Sequence, residues 1–348
     1  MTTFPLGVVI VTFNSADVII DCLESLLAAS GVSLTIVVVD NGSDDGTLSL
    51  LHRWAAGDTT IRLSPDIPFA LSVVAKSVTL WHPQAVMPSV ITGHRIVVIQ
   101  SGVNGGFAAG VNIGLACLAK EKDIDRFWIL NPDSVVPPDT PRAFATAANG
   151  FSLMGGRVLY LDQPDIIQID GGTIDWRTGV TGNVHLGKPH KTTASPDPAN
   201  FGFITGASMV ASRRFYEAAG PMREDYFLYY EEVDWAMRRG DLPLAYCAEA
   251  IVYHRAGTAI GSPTLGRPAS AFSLYFKHRG RLRFIRRFRR RSLFGAYAYS
   301  VAKAAQFLCR GYWREAWTVL VASIEFCVPT AVRNRLSSEA AQIAFWRK

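Results

Sequence analysis

The chain has 348 residues, of which 49% are hydrophobic and 18% are charged, so a disordered chain is excluded and a sizeable core is expected. The formal net charge of +6 is a local feature, because residues 277–291 contain nine lysines and arginines and no acid. Five scattered cysteines without a CxxC pair indicate reduced thiols rather than a disulfide framework or a zinc site.

The sequence has no clear targeting or membrane-spanning segment. The N-terminal run MTTFPLGVVIVTFN lacks a basic region before its short apolar stretch, which argues against a secretory signal. No uncharged apolar run is long enough for a membrane span. We therefore expect a cytoplasmic protein.

The first elements predict a strand–helix–strand unit. Residues 7–12, GVVIVT, predict a strand buried on both faces, and residues 34–39, LTIVVV, predict a second. Between them, apolar residues recur at helical spacing over 18–27, after Asn14-Ser15 as a predicted helix cap. A parallel pair with a right-handed crossover follows from this order.

The middle of the chain continues the same alternation. A short strand at 96–99 precedes a glycine-rich loop and a helix, and a strand at 127–130 ends at Asn131-Pro132-Asp133. The glycine loop at 102–110 lacks GxGxxG, which argues against a Rossmann dehydrogenase. Residues 52–95 are rich in proline and weakly periodic, and they are either an inserted subdomain, an acceptor contact or a decorated loop.

The second half is more mixed. GGRVLY at 155–160 predicts a strand, and FITGASMVASRRFYEAAG predicts a strand followed by a short helix. A helix is expected to end near Gly240, and one or two strands should precede His254. From about residue 270 onward the pattern is helical and basic.

Polar clusters follow the apolar strands or lie just beyond them. They occupy residues 12–14, 40–43, 131–133 and 231–234, and a single His254 follows the last strand. Open α/β sheets bind ligands at the carboxyl ends of their strands, so these clusters are candidates for a site.

Each cluster also has a purely structural interpretation. Asn14 could cap a helix, and Asp40 could close a turn. Glu231 and Glu232 could form a solvated first turn that the helix dipole stabilises. His254 could be a core histidine with satisfied hydrogen bonds. No cluster decides the function by itself.

Together the clusters resemble the signature blocks of family 2 glycosyltransferases, in that family's order and approximate spacing over much of residues 5–255. Within the family the chain looks most like the bacterial rhamnosyltransferase-like members. The resemblance implies an α/β protein with the GT-A fold, a Rossmann-like mixed sheet flanked by helices. It also implies a nucleotide-sugar donor, a divalent metal and inversion at the sugar carbon. The blocks are VVIVTFNSADVIIDCLESLL, VVVDNGSDDGT, NGGFAAGVNIGL, WILNPDSVVPPDT, FITGASMVASRRFYEAAG and FLYYEEVDWAMRRG.

The resemblance assigns the nucleotide-sugar site by position. An Asp carboxylate there can accept the pyrimidine imide proton, which selects uracil or thymine, and glycines permit close backbone approach. The residues expected to hold the pyrimidine and ribose are Thr12, Asn14, Asp40 and Asn41. The residues expected to shape the far wall of the pocket are Asn104, Phe107, Gly110 and Asn112, and Asn131 is expected beside the donor.

The resemblance also implies the metal ligands and the base. Asn131-Pro132-Asp133 matches the family's DxD motif with Asn in first place, so Asp133 and His254 would hold Mg²⁺ or Mn²⁺ against the departing diphosphate. Glu231-Glu232 matches the family's Glu-Asp pair, whose second acid is the general base. We therefore expect Glu232 to take the acceptor proton, with Glu231 or Asp234 able to share the role.

The basic segment 275–291, YFKHRGRLRFIRRFRRR, predicts an amphipathic helix with its apolar side in an anionic membrane surface. The following segments, 292–308 and 315–328, could deepen that contact without spanning the membrane. Its cations alternate with Leu, Phe and Ile and no recognition motif is present, so we expect no nucleic-acid partner. A solvated basic helix, or one packed on the catalytic domain, is the alternative. Residues 170–190, with Trp176, resemble the family's sugar and acceptor loop.

The sequence therefore predicts an inverting, metal-dependent glycosyltransferase with three parts. Residues 1–130 would form the nucleotide-sugar half, 131–265 the metal and acceptor half, and 266–348 a basic amphipathic helical region. The donor would be a dTDP- or UDP-linked rhamnose or hexose, and the acceptor a lipid-linked or polysaccharide hydroxyl of the cell envelope, at the inner face of the membrane. The alternative is a non-catalytic nucleotide-sugar-binding or membrane-associated scaffold protein, and the oligomeric state stays open.

Overall fold

The computed structural model describes residues 4–58, 60–71, 90–91, 94–255 and 269–346. These residues form a ten-stranded mixed sheet with helices on both faces, a separate two-stranded ribbon, and a helical C-terminal region. Of residues 52–95, in which we placed a possible insertion, 72–89 lie outside the described residues, and 52–55 complete a helix.

The described strands follow the predicted order. They are β1 (Phe4–Thr12), β2 (Val32–Asp40), β3 (Val90–Ile91), β4 (His94–Gln100), β5 (Arg126–Leu130), β6 (Ser134–Val135), β7 (Leu153–Tyr160), β8 (Ile167–Ile169), β9 (Gly172–Ile174), β10 (Thr181–Asn183), β11 (Ser208–Ser212) and β12 (Ala245–His254).

The described helices are short in the sheet domain and longer near the C-terminus. They are α1 (Ile19–Leu27), α2 (Thr47–Ala55), α3 (Phe107–Leu118), α4 (Thr140–Thr146), α5 (Arg213–Ala219), α6 (Glu231–Met237), α7 (Ala271–Phe288), α8 (Leu293–Cys309), α9 (Trp313–Ile324), α10 (Thr330–Arg333) and α11 (Ser338–Trp346).

The main sheet has a parallel half and a mixed half. Its order is β3-β4-β2-β1-β5-β11-β7-β12-β6, with β8 against β7. β4, β2, β1 and β5 are parallel neighbours, which confirms the predicted strand–helix–strand unit. β11 runs antiparallel to β5 and β7, and β12 runs parallel to β7 and antiparallel to β6. This topology brings the carboxyl ends of β5 and β12 to one side of the sheet.

Both faces of the parallel strands are buried, as their continuous apolar sequences predict. Along β1, Leu6, Val8 and Ile10 face the core under α1 and α2, whereas Val9 and Val11 face the core under α3. The sheet is therefore covered on both sides, and only its edges and strand ends are open to ligands.

Helix α3 lies unusually close to β1. A Cβ atom on Gly110 would come within 2.5 Å of the Val11 side chain, and one on Gly114 within 2.4 Å of Val9. Gly110 thus brings helix and strand into contact, and it fixes where the glycine-rich loop before α3 meets the sheet.

The predicted cap at Asn14-Ser15 is wrong. Helix α1 begins four residues later, after Val18, and no side chain caps it. Asn14 has a φ of +52° and hydrogen-bonds to a neighbouring loop instead. Asn tolerates this left-handed conformation better than most residues, because its short side chain can satisfy the local backbone.

The predicted apolar membrane face of residues 275–291 is also wrong. Phe276, Leu282, Phe284 and Ile285 are buried within the protein, where Phe284 packs near Trp176 and Phe276 stacks on Phe227. The apolar side of α7 covers the catalytic domain and the neighbouring helices, so it cannot also lie in a bilayer. The alternative of a helix packed on the domain is the one that the structure shows.

Candidate active site

The predicted polar clusters of the first half meet at one edge of the sheet. The register pairs Thr12 at the end of β1 with Asp40 at the end of β2, and Asp40 with Gln100 at the end of β4. β5 ends beside them at Leu130, directly before Asn131. Parallel strands necessarily bring their carboxyl ends together, and this is the edge at which α/β sheets bind ligands.

Asp40 and Thr12 form a buried polar pair at the centre of this edge. The Thr12 hydroxyl donates to Asp40 Oδ1 at 3.1 Å, and the Ser43 backbone N–H donates to Asp40 Oδ2 at 3.1 Å. These bonds fix the carboxylate plane. A carboxylate has about four acceptor positions, so two bonds leave capacity for a further donor.

Asn41 holds the glycine-rich loop. Its side-chain Nδ2 donates to Asn104 Oδ1 at 3.2 Å and to the Gly106 carbonyl at 3.0 Å. Its Oδ1 accepts from the Ser101 hydroxyl at 3.1 Å and from the Gly105 N–H at 3.3 Å. The Asn41 amide is thus fully used within the protein, and it positions the loop rather than facing an open pocket.

Asn14 joins the loops after β1 and β2. Its backbone N–H donates to Ser43 Oγ at 2.9 Å, and its side chain exchanges two hydrogen bonds of 2.8 and 2.9 Å with Asp44. Both Asn14 and Asp44 are exposed, so this junction forms the outer rim of the sheet edge.

Asp133 and His254 come together as the sequence predicts, although 121 positions separate them. β12 pairs with β6 so that His254 lies opposite Ser134, and Asp133 Oδ1 lies 3.1 Å from His254 Nε2. Asn131 Nδ2 lies 3.2 Å from the same ring nitrogen. All three side chains are partly buried at the end of β5.

The hydrogen bonds of His254 favour a ligand role. His254 Nδ1 lies 2.8 Å from Gln168 Oε1, an atom that only accepts, so Nδ1 carries the proton and Nε2 keeps its lone pair. Metal-binding histidines usually donate their other ring N–H in this way. A lone pair on Nε2 and a carboxylate oxygen 3.1 Å away repel each other unless a proton or a cation lies between them.

The pair fits a small divalent cation. Two ligands at about 2.1 Å on neighbouring octahedral positions are separated by about 3.0 Å, close to the observed spacing. The part of the chain that the structure describes has no cluster of three or more His, Cys, Asp and Glu ligands. A metal held by Asp133 and His254 would therefore need further oxygen ligands, which substrate phosphates and water supply in magnesium sites.

A strained segment leads from the glycine loop to the glutamate pair. Phe227, Tyr229 and Tyr230 have φ values of +66°, +65° and +74°, although none is glycine. The Phe227 carbonyl accepts from the Phe107 N–H at 2.9 Å, so this segment lies against the start of α3. Such strain persists only where surrounding contacts enforce it, and it is concentrated at functional sites.

Asn112 reinforces the same contact from α3. Its side chain donates to the Met222 carbonyl at 2.9 Å and accepts from the Met222 N–H at 2.9 Å, and it also donates to Glu224 at 3.1 Å. Asn112 and Gly110 are both predicted to shape the nucleotide pocket, and the contacts that the structure shows for them are packing and chain positioning.

The three acids of α6 lie in different environments. Glu231 is buried, and burial together with the neighbouring Glu232 raises its pKa well above the ordinary value. Glu232 is half-buried, and its enclosure by the protein raises its pKa to about 7, while backbone N–H groups and Lys277 oppose the shift. A pKa near 7 suits a general base at neutral pH.

Asp234 faces away from this role. Its Oδ2 accepts from the Tyr226 hydroxyl at 3.0 Å and its Oδ1 from Arg238 Nε at 3.0 Å. The carboxylate is fully buried, and burial raises its pKa while Tyr226 and Arg238 lower it. Asp234 is thus committed to the fold, whereas Glu232 is the acid of α6 that is partly accessible.

Sequence reasoning missed several residues of this region. Gln168 orients His254 from a three-residue strand without any periodic signal, and Lys277 acts on Glu232 from α7, 45 positions away. The strain at 227–230 is equally invisible, since aromatic residues do not indicate positive φ. The sequence signal for Gln168 is a polar residue in a short strand, and such residues are too common to identify a functional position.

Comparison with known proteins supports the predicted class of enzyme. Residues 7–65 match the family model described as glycosyl transferase family 2. The "Low-salt glycan biosynthesis hexosyltransferase Agl10" of Haloferax volcanii is 25% identical over 255 residues, 72% of this chain and 66% of that protein. The chain thus spans about two thirds of the length of this curated relative.

One solved structure supports the architecture, and a second gives a lower TM-score. A crystal structure of GalNAc-T7 with UDP, GalNAc and Mn²⁺ superposes with a TM-score of 0.51 at 13% identity, over 82% of this chain and 48% of that one. The mannosyltransferase PcManGT of Pyrobaculum calidifontis, in complex with GDP-Man and Mn²⁺, gives a TM-score of 0.48 at 13% identity, over 99% and 81%.

The predicted GT-A fold is confirmed, and the match over residues 7–65 and the hexosyltransferase relative support the predicted enzyme class, a glycosyltransferase. The fold is an α/β sheet flanked by helices, with its polar strand ends at one edge. The roles of individual residues, the donor, the acceptor and the rhamnosyltransferase-like subtype stay predictions.

Proposed function

We propose that the protein transfers a hexosyl or 6-deoxyhexosyl unit from a UDP- or dTDP-sugar to a hydroxyl of a lipid-linked or polysaccharide acceptor, with inversion. The observation that carries the proposal is the combination of two features. Asp133 and His254 form a pair that fits a divalent cation at the ligand-binding edge of the sheet, and Glu232 has a pKa of about 7 in a partly accessible position.

The donor base would lie against the ends of β1 and β2. Asp40, fixed by Thr12 and Ser43, would accept the imide N–H of uracil or thymine, and Asn14 would border the ribose at the rim. Asn41 would act indirectly by holding the loop of Asn104, because its own amide is saturated. Phe107 and Asn131 would border the donor from α3 and β5.

Two groups would assist the transfer: a metal would stabilise the charge of the departing diphosphate, and Glu232 would accept the proton of the acceptor hydroxyl. Asp133 and His254 would hold Mg²⁺ or Mn²⁺, whose positive charge would stabilise the departing diphosphate. Glu232 would accept the proton of the acceptor hydroxyl while its oxygen attacks the anomeric carbon from the opposite face. Burial and the neighbouring Glu232 raise the pKa of Glu231 well above its ordinary value, which favours its protonated form.

The acceptor is assigned by class. The hexosyltransferase relative is named for glycan biosynthesis, which supports a glycan or lipid-linked glycan acceptor here. The described residues contain five free cysteines, in keeping with our proposal that the enzyme works on the cytoplasmic side of the membrane.

The test is a donor panel with the full chain. UDP-hexoses, dTDP-rhamnose, dTDP-hexoses and GDP-mannose would each be supplied with Mn²⁺ or Mg²⁺, and release of nucleoside diphosphate measured. We expect turnover with at least one uracil or thymine donor, none with GDP-mannose, and loss of turnover in excess EDTA. Turnover that persists in chelator would contradict the metal role, and equal use of GDP-mannose would contradict the role of Asp40.

The scaffold alternative makes a different prediction for the same panel. A non-catalytic protein that kept the fold would bind UDP or dTDP, as calorimetry would detect, without releasing diphosphate from any donor. That result would remove the catalytic proposal and leave nucleotide binding in place.

A further inference from the structure

The outer surface of the C-terminal helices is apolar where helices normally carry polar residues. Helix α8 packs on its neighbours through Ala296, Ser300, Ala304 and Phe307, which are buried. The opposite side of the same helix should then face water. It presents Phe294, which is 87% exposed, and then Val301 and Leu308 at seven-residue intervals.

Helix α9 shows the same pattern. Trp313 is 63% exposed and Trp317 is 51% exposed, and Ile324 continues the stripe two turns further along. The spacing of four and then seven residues places the three side chains on one side of the helix. Residues 310–312 join α8 to α9, and the two helices pack against each other, so the exposed faces belong to one structural unit.

This surface has few polar interruptions. Between Leu293 and Cys309, α8 carries one charged residue, Lys303. A soluble helix normally places charged residues opposite its packed face, and a helix that is apolar all round is normally covered by something. Exposed patches of this kind mark protein or membrane interaction sites.

Four arginines border the apolar faces, and the acid at the end of the α9 stripe, Glu325, is paired with Arg283 and Arg286. Arg290 and Arg291 lie just before α8, and Arg310 and Arg314 lie at the turn into α9. All four are exposed, and none has a carboxylate partner among the described residues. Arg314 stacks over the ring of Trp313 at 5.1 Å.

We propose that the outer faces of α8 and α9, with the arginines at their ends, dock the protein on an anionic phospholipid bilayer. Tryptophans and arginines beside aliphatic residues are the composition of interfacial helices, whose apolar side enters the acyl boundary while cations meet the lipid phosphates. A second copy of the chain would cover the apolar stripes, but it would bring the same unpaired arginines against each other. Charge complementarity therefore favours the membrane.

This surface is not the basic segment 275–291 that the sequence predicts as the main contact, and it lies on the following segments, which the sequence predicts only to deepen that contact. The apolar side of α7 is buried in the protein, whereas α8 and α9 expose apolar side chains to solvent. Described helices do not have the length and apolarity needed to cross a bilayer, so the contact would be with one leaflet. A bilayer is also where a lipid-linked acceptor would be found. That link rests on the proposed function, whereas docking itself does not.

The experiment is vesicle co-sedimentation of the full chain, with vesicles of phosphatidylcholine and phosphatidylglycerol compared with phosphatidylcholine alone. We expect binding that needs the anionic lipid and weakens in 0.5 M salt, where the Debye length is about 4 Å against about 10 Å at 0.1 M. Each cation near an anionic surface contributes about fivefold in affinity. The triple variant Arg290→Gln, Arg291→Gln, Arg310→Gln should therefore lose about 100-fold.

Matched variants separate this surface from general charge and general hydrophobicity. Arg53→Gln, Arg142→Gln, Arg214→Gln removes the same charge from exposed positions elsewhere and should lose less than about threefold. Phe294→Ser with Trp317→Ser should lose about tenfold or more. Phe4→Ser with Leu186→Ser, a control at other exposed apolar positions, should bind like the wild type.

Two further measurements complete the test. Brominated lipid should quench tryptophan emission on binding, and Trp313→Phe with Trp317→Phe should remove most of that quenching. Donor hydrolysis by Phe294→Ser, Trp317→Ser in vesicle-free buffer should equal that of the wild type, so failure to dock is distinguished from failure of catalysis. The proposal is overturned if the wild type stays in the supernatant, if the arginine control loses as much as the test triple, or if the face proves to form a dimer that the serine variant dissociates.

Discussion

The carboxyl edge of the sheet and the C-terminal helices both place charged residues among apolar ones, and they do so by different rules. At the sheet edge, Asp40 and Asp133 follow strands whose parallel order forces their ends together. In the helices, Arg279 is buried under aromatic rings, whereas Arg290, three turns later, is exposed. Strand topology fixes the first arrangement, and tertiary packing decides the second.

The two regions differ in how far a local sequence pattern determines where a residue lies in the fold. A polar residue at the end of a buried strand has one possible location, the edge of the sheet. A helix with apolar residues on more than one side has several, because the side that becomes core depends on which surface receives it. Variants at the sheet edge and in the C-terminal helices test the two regions separately.

The largest effect is expected at Asp133. Asp133→Ala removes a charged ligand from the pair with His254, and lost stabilisation of developing charge is worth roughly 3–4 kcal/mol, or about 10²–10³-fold or more in kcat. The readout is diphosphate release at saturating donor and Mn²⁺. Asp162→Ala, an exposed acid near β7, is the control and should retain full activity. Near-normal turnover of Asp133→Ala would contradict the assignment of this pair.

Glu232 gives the next largest effect. Glu232→Gln keeps the shape and removes the basicity, so kcat should fall by about 10²–10⁴-fold while donor binding stays intact. Glu231→Gln is the matched neighbour, and it should stay within about tenfold of the wild type because the raised pKa of Glu231 favours its protonated form. If the two variants exchange these outcomes, Glu231 is the base.

The pH dependence follows from the raised pKa of Glu232. Below about pH 7 the carboxyl group is protonated and cannot accept a proton, so kcat/KM should rise through about pH 7 and level off above it. The same raised pKa favours the folded state when the group is protonated. That contribution is present at low pH and is lost as the pH rises from the ordinary glutamate value through about 7. Glu232→Gln should therefore flatten the pH profile of residual turnover and the alkaline fall in Tm.

A stability comparison within α7 and the segment after it tests the helical region. Arg279 donates to the Ala344 carbonyl at 2.7 Å and to the Tyr226 carbonyl at 2.9 Å, so Arg279→Ala leaves a cavity and two unsatisfied carbonyls. We expect a loss of about 3 kcal/mol in the free energy of unfolding, measured in urea. Arg290→Ala removes the same side chain from an exposed position and should change it by less than about 0.5 kcal/mol. Equal losses in the free energy of unfolding would contradict the buried position of Arg279 and the exposed position of Arg290.

Much of the fold could be predicted from the sequence, for physical reasons that particular residues show. The runs GVVIVT and LTIVVV are too apolar for anything but buried strands. Asp40 ends one such strand, and Asn131 and Asp133 lie within three residues of the end of another. The segments that carry Phe294 and Trp317 could be proposed as membrane contacts from the sequence, but which side of each helix is exposed depends on contacts made at a distance. The helix cap at Asn14 failed because a loop 30 positions away offered better hydrogen bonds.

The smallest expected effect concerns Gln168, a residue that only the structure reveals. Gln168 Oε1 lies 2.8 Å from His254 Nδ1 and favours the tautomer in which Nδ1 carries the proton and Nε2 carries none. Gln168→Ala would leave the ring able to turn and to carry its proton on either nitrogen. Loss of such a partner typically costs about 10–100-fold in metal affinity, with little effect on kcat once metal is saturating. Mn²⁺ binding followed by electron paramagnetic resonance, together with a metal titration of turnover, separates affinity from rate. Gln163→Ala, at an exposed position five residues earlier, is the control and should bind Mn²⁺ like the wild type. Unchanged Mn²⁺ affinity in Gln168→Ala would show that His254 is oriented by its place on β12 alone, and the distant hydrogen bond would then be a consequence of the fold rather than a support for the metal.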